Sequence, residues 1–279
     1  MKRIASAFIL IITLFQVNPV FAINPDREYI RTPDSVKWNY QQLDIQTSDG
    51  FRINTWIYQA KPENDKDTVL ILAYPDAGNM SYFVYHSMIL ANSGYTVVTF
   101  DYRGFGKSQD FEIQKELLYY KEFALDLEAV VETISKEIPN KKLGIWAMSM
   151  GTTIASRAYP QIKDHIDFII GEGFVTDPDG IVGYYRQQGK EILLPENSSE
   201  FKKSIESIDC PLLILTASND DVTTHNSALK FQEKLGTNCS IIQYEGDHLT
   251  GFQVDYDNKG FGGWFVDQVD RFLGKATAC

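Results

Sequence analysis

The sequence is poor in the residue types that bind metal ions and nucleic acids. It has four histidines and three cysteines among 279 residues. None of them falls in a His-x-x-x-His, His-Glu-x-x-His or Cys-x-x-Cys spacing, so we expect no metal site. Its 26 basic residues are outnumbered by 37 acidic ones, which gives a formal net charge of −11. Because so acidic a chain is repelled by phosphate backbones, we expect no nucleic-acid partner.

The sequence also lacks a phosphate-binding loop, a membrane-spanning run after the N-terminus and internal repeats. The glycine-containing loops DAGNMS and RGFGKS do not fit the Gly-x-x-x-x-Gly-Lys-Ser/Thr pattern of a phosphate-binding loop, so the sequence indicates no nucleotide and no other cofactor. After the N-terminus, no apolar run is long enough to span a membrane. No internal repeat or low-complexity segment interrupts the chain. Its length and its 44% hydrophobic content suit one globular domain, residues 23–279.

The N-terminus has the pattern of a secretory leader. A short basic start precedes the mostly apolar stretch 4–17, and Val20-Phe21-Ala22 fits a small-x-small cleavage site. We expect a signal peptide over residues 1–22, cut after Ala22. The expectation that follows is an exported protein, periplasmic or extracellular, with no stable membrane anchor. An uncleaved membrane anchor is the alternative.

The remaining chain alternates strand-like and helix-like segments. Residues 23–37 are polar, which predicts a loosely ordered start of the domain. The pattern after them predicts two strands on either side of a turn at Ser48-Asp49-Gly50. Continuous apolar runs then alternate with amphipathic helical patterns. This predicts an α/β fold, a doubly wound and mostly parallel central sheet with helices on both faces. The irregular, aromatic-rich segment of about 175–207 predicts a short cap insertion.

In such sheets the functional residues lie at the carboxyl ends of the strands. At these positions the sequence has a serine, several acidic residues and a histidine. Ser149 follows the third long strand, and His248 directly follows the sixth. His86 lies inside a helical segment, His165 precedes a strand and His225 begins a helix, so His248 is the candidate base. A serine hydroxyl needs a base to take its proton, and histidine suits that task because it titrates near neutrality. Acidic residues also follow strands, Glu172 and Asp177 after the fourth and Asp220 and Asp221 after the fifth, and a carboxylate can hold the imidazole in the required tautomer.

Five motifs together resemble those of the α/β-hydrolase superfamily, and within it a serine-hydrolase subgroup that is esterase- and peptidase-like. They are AMSMG, TASNDDV, EGDHLTGF, FDYRGFGKS and YPDAGNMS. AMSMG resembles the nucleophile elbow Gly-x-Ser-x-Gly. It departs from that pattern at Ala147, whose extra methyl group is small enough for the elbow. The resemblance covers nearly all of residues 23–279.

The resemblance implies a role for each motif. Ser149 would be the nucleophile, His248 the general base and Asp220 the acid, with Asp177 as an alternative acid. The oxyanion hole would be formed by the backbone N–H groups of Met150 and Asp76, since Pro75 has none. In the FDYRGFGKS motif, we expect Asp101 and Arg103 to hold the loop beside the elbow through an ion pair.

The resemblance also places two cysteines near each other. Cys210 and Cys239 precede the fifth and sixth long strands, which are parallel neighbours in this family, so a Cys210–Cys239 disulfide is expected. Cys279 would stay free or pair between molecules.

The expected substrate is a small ester or other acyl compound. Tyr74, Tyr184 and Tyr185 are the candidate substrate-binding residues, and an aromatic and aliphatic cap favours an acyl or alkyl group beneath it. The most favoured function is a carboxylesterase with a Ser-His-Asp triad and an acyl-enzyme mechanism. The alternatives are a serine peptidase or amidase of the same fold, and a catalytically silent binding protein. The oligomeric state is not indicated.

Overall fold

The structure is a computed structural model that describes residues 22–276. Residues 1–21, which hold nearly all of the predicted signal peptide, and Cys279 lie outside the described residues. The strands are, in chain order, β1 (Asn24–Pro25), β2 (Gln41–Gln46), β3 (Arg52–Tyr58), β4 (Thr68–Ala73), β5 (Ala77–Gly78), β6 (Thr96–Phe100), β7 (Lys142–Met148), β8 (Phe168–Glu172), β9 (Leu212–Ala217) and β10 (Cys239–Tyr244). The helices are α1 (Val84–Asn92), α2 (Glu122–Glu137), α3 (Met150–Ile162), α4 (Pro178–Gln187), α5 (Ser198–Glu206), α6 (His225–Leu235), α7 (Tyr256–Lys259) and α8 (Gly263–Ala276).

Within the described chain, eight strands form one sheet in the order β10–β9–β8–β7–β4–β6–β3–β2. The pairs from β10 to β6 are parallel, and β3 is antiparallel to both β6 and β2. Strands β4, β6, β7, β8 and β9 are buried over almost their whole length, as their continuous apolar sequences predict. The predicted fold class is therefore confirmed.

Helices cover both faces of this sheet. On one face, α2 packs against α3 and α3 against α5. On the other face, Trp146 of β7 packs against Phe252 and against Phe265 of α8, and an aromatic cluster extends from there to α1. No helix among residues 22–276 is long and apolar enough to cross a bilayer.

The start of the described chain is ordered, contrary to the expectation of a loose segment. Ile23 is fully buried, and β1 forms a two-residue parallel pair with β5. Ala22, the last residue of the predicted leader, donates its backbone N–H to the carbonyl of Lys115 and packs with Val182 and Ile192. Backbone hydrogen bonds made to distant loops order this segment, and these leave no periodicity in a sequence.

The cap region is helical rather than irregular. Asp177 caps the start of α4, where Pro178 occupies the first turn, and Asn197 caps α5. The segment before α2 belongs to the contact with the cap, because α2 begins only at Glu122. The residues before it pair with the cap, since Leu118 and Leu193 are joined by a backbone hydrogen bond of 2.9 Å.

The predicted disulfide is wrong, because Cys210 and Cys239 are both free thiols. The strands β9 and β10 are parallel neighbours as expected, but Cys239 lies opposite Leu212, two residues beyond Cys210. Two residues of extended chain add about 7 Å along the strand to the ~4.8 Å between strands. The resulting Cα separation exceeds the ~7 Å that a disulfide tolerates. Strand adjacency was predictable from the family resemblance, whereas strand register was not.

Candidate active site

Ser149 lies at a sharp turn between β7 and α3. Its φ and ψ angles are 49° and −116°, a left-handed conformation that residues other than glycine rarely adopt. The turn is held on both sides, because the Ser149 N–H donates to the Glu172 carbonyl (2.9 Å) and the Ser149 carbonyl accepts from the backbone N–H of Thr152 (2.8 Å). Gly151 follows where only glycine fits, since a Cβ there would lie 1.8 Å from the Ala73 carbonyl oxygen. Ala147 is fully buried in β7, so the elbow accommodates its methyl group.

The structure brings Ser149, His248 and Asp220 together. His248 Nε2 is 3.1 Å from Ser149 Oγ, and His248 Nδ1 is 2.6 Å from Asp220 Oδ2. The Asp220 side chain is almost fully buried, whereas that of His248 is 34% exposed. A serine oxygen, an imidazole and a carboxylate in this linear contact can pass a proton from the hydroxyl to the ring and stabilise the ring cation.

The loop after β9 fixes the Asp220 carboxylate. Oδ1 accepts hydrogen bonds from the N–H groups of Val222 (2.9 Å) and Thr223 (2.8 Å), and Oδ2 accepts one from the Thr223 hydroxyl (2.5 Å). Burial raises the pKa of Asp220, but the hydrogen bond and charge of His248, together with Thr223, outweigh it and hold that pKa well below its usual range. Asp220 is therefore ionised at neutral pH. The alternative acid Asp177 instead caps α4 through the Gly180 N–H at 3.1 Å, and Asp221 is exposed.

The two predicted oxyanion donors belong to different elements, the start of α3 and the loop after β4. Met150 is the first residue of α3, so its N–H has no acceptor within the helix and lies at the positive end of the helix dipole. Asp76 lies in the loop after β4, with its carboxyl group within electrostatic range of His248. Burial raises the pKa of Asp76, and the nearby His248 opposes this rise only in part. The Asp76 carboxyl group is therefore part of the electrostatic surroundings of His248.

The N-terminal segment supports the loop that carries Asp76. Asn24 N–H donates to the Asp76 carbonyl (2.9 Å), and Asp26 N–H donates to the Gly78 carbonyl (2.8 Å). The Asn79 side-chain amide in turn binds the carbonyls of Asp26 (2.9 Å) and Glu28 (2.8 Å). Nothing in the polar sequence of residues 23–37 pointed to this role, because Asn24 and Asp26 both donate through their backbone N–H groups.

Asp101 and Arg103 have structural roles, but not as a pair. Asp101 is fully buried and accepts from the N–H groups of Met80 and Lys107 and from the Tyr29 hydroxyl. Arg103 instead forms ion pairs with Asp126 (2.7 Å) and Asp49 (2.6 Å). The expectation of an ion pair between Asp101 and Arg103 is wrong, because the two side chains leave the loop toward different partners.

The three predicted substrate-binding tyrosines differ in position. Tyr74 is fully buried among Phe83, Tyr102 and Phe105, so it belongs to the core and the prediction that it binds substrate is wrong. Tyr185 is half-buried in α4 of the cap, within electrostatic range of both Asp76 and Asp220.

Tyr184 packs edge-on against Tyr185 at 5.5 Å between ring centroids. It lines a cavity of about 190 Å³ beside the acid loop, together with Ile181, Val222 and Thr223. Beside Tyr185, an apolar cluster joins the cap to the main domain: Ala22, Leu118, Val182, Ile192 and Leu194. The cap therefore offers apolar and aromatic surface beside the loop that carries Asp220.

Glu172 is the site-adjacent acid whose contacts sequence reasoning missed. It is fully buried at the end of β8, next to the elbow, and its side chain binds the loop that carries His248. Its place after a buried strand was visible in the sequence, but its hydrogen-bond partners lie 72 and 79 residues further along the chain. Among residues 22–276, no group of three His, Cys, Asp or Glu side chains is arranged to hold a metal ion.

The sheet order, the strained serine at a strand-to-helix turn and the chain order of serine, acid and histidine define an α/β hydrolase. The comparisons with known proteins agree. Residues 78–179 match a hydrolase family described as serine aminopeptidase, S33. The Pyrococcus furiosus esterase Pf2001 is 20% identical and shares the fold with a TM-score of 0.67, over 92% of this chain and 98% of the esterase chain. The chain belongs to the α/β-hydrolase superfamily.

Two curated relatives are similar in sequence. An uncharacterized membrane protein of Saccharomyces cerevisiae, YNL320W, is 28% identical over 230 residues, which cover 80% of this chain and 78% of the yeast protein. The lysophosphatidylserine lipase ABHD12 of Danio rerio is 29% identical over 184 residues, or 60% of this chain. The match spans only 44% of that lipase, so the lipase contains much sequence that has no counterpart in the match.

The comparison with the yeast protein corrects the predicted localisation. The expectation of an exported, periplasmic or extracellular protein is contradicted, because a relative matched over most of its length is a membrane protein. The leader-like pattern of residues 1–22 is a basic start followed by an apolar stretch. Sequence composition alone does not separate a cleaved leader from a retained membrane segment of this kind.

Proposed function

We propose that this protein is a serine hydrolase that cleaves a carboxylic ester of a small molecule through an acyl-enzyme formed on Ser149. The observation that carries the proposal is the contact of Ser149 Oγ with His248 Nε2 at 3.1 Å, with Asp220 bound to the other ring nitrogen at 2.6 Å. Two relatives named as an esterase and a lipase, whose activities both concern esters, support this choice of bond.

The mechanism follows from the contacts of the three side chains. His248 Nε2 takes the proton of the Ser149 hydroxyl as Oγ attacks the ester carbonyl, and Asp220 stabilises the imidazolium that forms. The carbonyl oxygen becomes an oxyanion that the N–H groups of Met150 and Asp76 bind. As the carbon–oxygen bond to the alcohol breaks, His248 returns the proton to the leaving oxygen, and the acyl group stays on Ser149. A water molecule, deprotonated by His248, then releases the carboxylic acid and restores the serine.

The cap supports an acyl or alkyl substituent of moderate size. Tyr184, Tyr185 and the apolar cluster beside them provide the surface that such a group would contact. A peptidase of the same fold is the second candidate, favoured by the match to a family described as serine aminopeptidase. Both candidates share the acyl-enzyme, and they differ in the leaving group.

A fluorophosphonate probe tests the enzyme class. We expect the folded wild-type protein to be labelled and Ser149→Ala to remain unlabelled. Ser156→Ala is the matched control, because this buried serine on the same helix donates its hydroxyl only to the Thr152 carbonyl, and it should label like wild type. A folded wild-type protein without label would instead identify a silent binding protein.

A substrate panel then separates the two kinds of bond. We expect hydrolysis of p-nitrophenyl esters with short to medium acyl chains, and at least tenfold lower kcat/KM for aminoacyl p-nitroanilides. A preference for the anilides would replace the esterase with the peptidase, while labelling of Ser149 would be unaffected.

A further inference from the structure

Glu172 is a buried acid that the proposed mechanism does not use. Its side chain is inaccessible to solvent at the carboxyl end of β8, one strand away from the elbow. Its backbone carbonyl accepts the Ser149 N–H at 2.9 Å, so the residue is fixed relative to the proposed nucleophile. It lies within electrostatic range of His248 and Asp220. Burying a carboxyl group is costly, which makes its partners informative.

One carboxyl oxygen of Glu172 is hydrogen-bonded to the second half of the histidine loop, the loop after β10 that carries His248. Oε1 accepts hydrogen bonds from the Gly251 N–H and from the Tyr244 hydroxyl, both at 2.7 Å. The Tyr244 hydroxyl oxygen in turn accepts the Thr250 N–H at 3.2 Å. Two successive backbone N–H groups that follow His248 are thus tied, directly or through Tyr244, to the end of β8.

The first half of the histidine loop is held by a different strand. The Gly246 carbonyl accepts the Asn219 N–H at 3.0 Å, and the Gly246 N–H donates to the Ser218 hydroxyl at 3.2 Å. Ser218 and Asn219 follow β9, next to Asp220. His248 therefore lies between two hydrogen-bonded points of its loop. One is bonded to the loop that carries Asp220, and the other is bonded to Glu172, next to Ser149.

The packing around the second of these points, at Glu172, allows little movement. A Cβ at Gly251 would lie 2.8 Å from Glu172 Oε1, and a Cβ at Gly173 would lie 2.7 Å from His248 Cε1. The ring and the loop that carries it are in close contact with the end of β8. A change in the Glu172 side chain would therefore be transmitted to the His248 ring, which must stay within hydrogen-bond reach of Ser149.

We propose that Glu172 is a positioning residue that acts through His248, by accepting the Gly251 and Tyr244 hydrogen bonds that set the distance from the ring to Ser149. This inference rests on the proposed function, in which His248 is the base. The accepting oxygen, and not the negative charge, performs the role. An amide oxygen at the same place can accept both hydrogen bonds, because it also has two lone pairs.

Two substitutions of Glu172 separate the oxygen from the charge. Glu172→Leu removes the acceptor and should lower kcat for a p-nitrophenyl ester about 10- to 100-fold with little change in KM, since a misplaced base slows the chemical step. Glu172→Gln should restore kcat to within about threefold of wild type, because it keeps the acceptor. A glutamine variant as impaired as the leucine variant, or a leucine variant with wild-type kcat, would overturn the proposal.

A milder pair of variants covers the case in which Glu172→Leu does not fold. Tyr244→Phe removes one of the two donors to Glu172 and the acceptor of Thr250, while its ring keeps its packing against Trp264. It should lower kcat by about three- to tenfold. Tyr159→Phe is the matched control, since it also removes a buried hydroxyl bound to an acid, Asp209, but near the end of α3. Equal kcat values for the two variants would contradict the proposed role.

A readout independent of turnover separates this proposal from the proposed function. The proton between His248 Nδ1 and Asp220 should give a downfield proton NMR signal in the wild-type protein. The signal should be lost or shifted in Glu172→Leu and kept in Glu172→Gln. A signal that Glu172→Leu leaves unchanged overturns the positioning role. A wild-type protein that shows the signal but resists the fluorophosphonate probe overturns the proposed function instead.

Discussion

The backbone of Ser149 adopts a conformation that costs about 1–3 kcal/mol for a residue with a Cβ. Neighbouring contacts offset this cost, because the Ser149 N–H and carbonyl are both hydrogen-bonded and α3 begins immediately afterwards. The strain projects the hydroxyl out of the sheet toward His248, where a regular helix or strand would not place it. The resemblance of AMSMG to the nucleophile elbow predicts this turn. The structure shows why the motif needs Gly151, since a Cβ there would meet the Ala73 carbonyl oxygen.

The carboxyl group of Asp76 should affect the pH dependence of hydrolysis. An ionised Asp76 within electrostatic range of His248 favours the imidazolium, the form that is unable to act as a base. Asp76→Asn removes this charge and keeps the backbone N–H. Without that charge, the acid limb of kcat/KM should move to lower pH by about 0.5–1 unit.

The measurement is a pH–rate profile for an ester substrate, with Asp177→Asn as the control. Asparagine can still cap α4, and Asp177 is an exposed acid away from the His248 contacts, so its profile should match wild type. An acid limb for Asp76→Asn that stays in place or moves to higher pH would contradict this account of the Asp76 charge.

Strand β1 has only two residues, yet it supports the loop that would carry half of the oxyanion hole. Its pairing with β5 joins residues 53 positions apart in the sequence, Asn24 with Ala77. Such a contact depends on backbone groups alone, so neither residue type nor periodicity could predict it. The cap helices were missed for another reason: Asp177-Pro178 and Asn197-Ser198 are recognisable helix starts, but the short aromatic-rich segments that follow did not show a clear helical period.

Asn24→Pro tests whether the pairing matters for turnover. Proline removes the N–H that donates to the Asp76 carbonyl, whereas Asn24→Ala keeps it. We expect kcat to fall roughly tenfold in the proline variant with KM nearly unchanged, because a loosened donor weakens binding of the oxyanion more than of the substrate. The alanine variant should stay within about twofold of wild type. A proline variant with wild-type kcat and unchanged thermal stability would show that the loop holds its position without β1.

The sheet as a whole followed from the sequence because its strands are buried on both faces and are therefore apolar without alternation. The polar residues at the strand ends pointed to the correct edge of the sheet, and the structure gathers Ser149, Asp220 and His248 there. The features that the sequence did not predict depend on strand register and on hydrogen bonds between residues far apart in the chain. Cys239 pairs with Leu212 and not with Cys210, and Glu172 binds residues 72 and 79 positions away.

The stability of the whole domain should fall on mild acidification because of His86. Burial among Phe83, Phe252 and Phe261 lowers the pKa of His86 to about 4, from an ordinary value of 6.5. Between these two values the unfolded chain binds a proton that the folded chain does not. The free energy of unfolding therefore decreases as pH falls from about 6.5 to 4, by up to about 3 kcal/mol from this residue, and this contribution is constant below pH 4.

His86→Phe removes the titrating group and keeps an aromatic ring in the cluster. The difference in unfolding free energy between variant and wild type should shift in favour of the variant as pH falls from 7 to 4.5. Urea unfolding at several pH values measures it, and His165→Asn, at an exposed position, serves as the control. A difference that is independent of pH would mean that His86 accepts a proton within the folded protein.

The pairing of β1 with β5 also makes the molecule sensitive to force. The hydrogen bonds from Asn24 to Asp76 and from Asp26 to Gly78 lie between the chain at Ala22 and the loop beside Ser149. Tension applied ahead of Ala22 would first load the hydrogen bonds from Ala22 and Ile23 to the Lys115 carbonyl, and then these two bonds, before it reached the large sheet. An N-terminal tether that is pulled would thus load the loop after β4 before the eight-stranded sheet, and under the proposed function turnover would report the load.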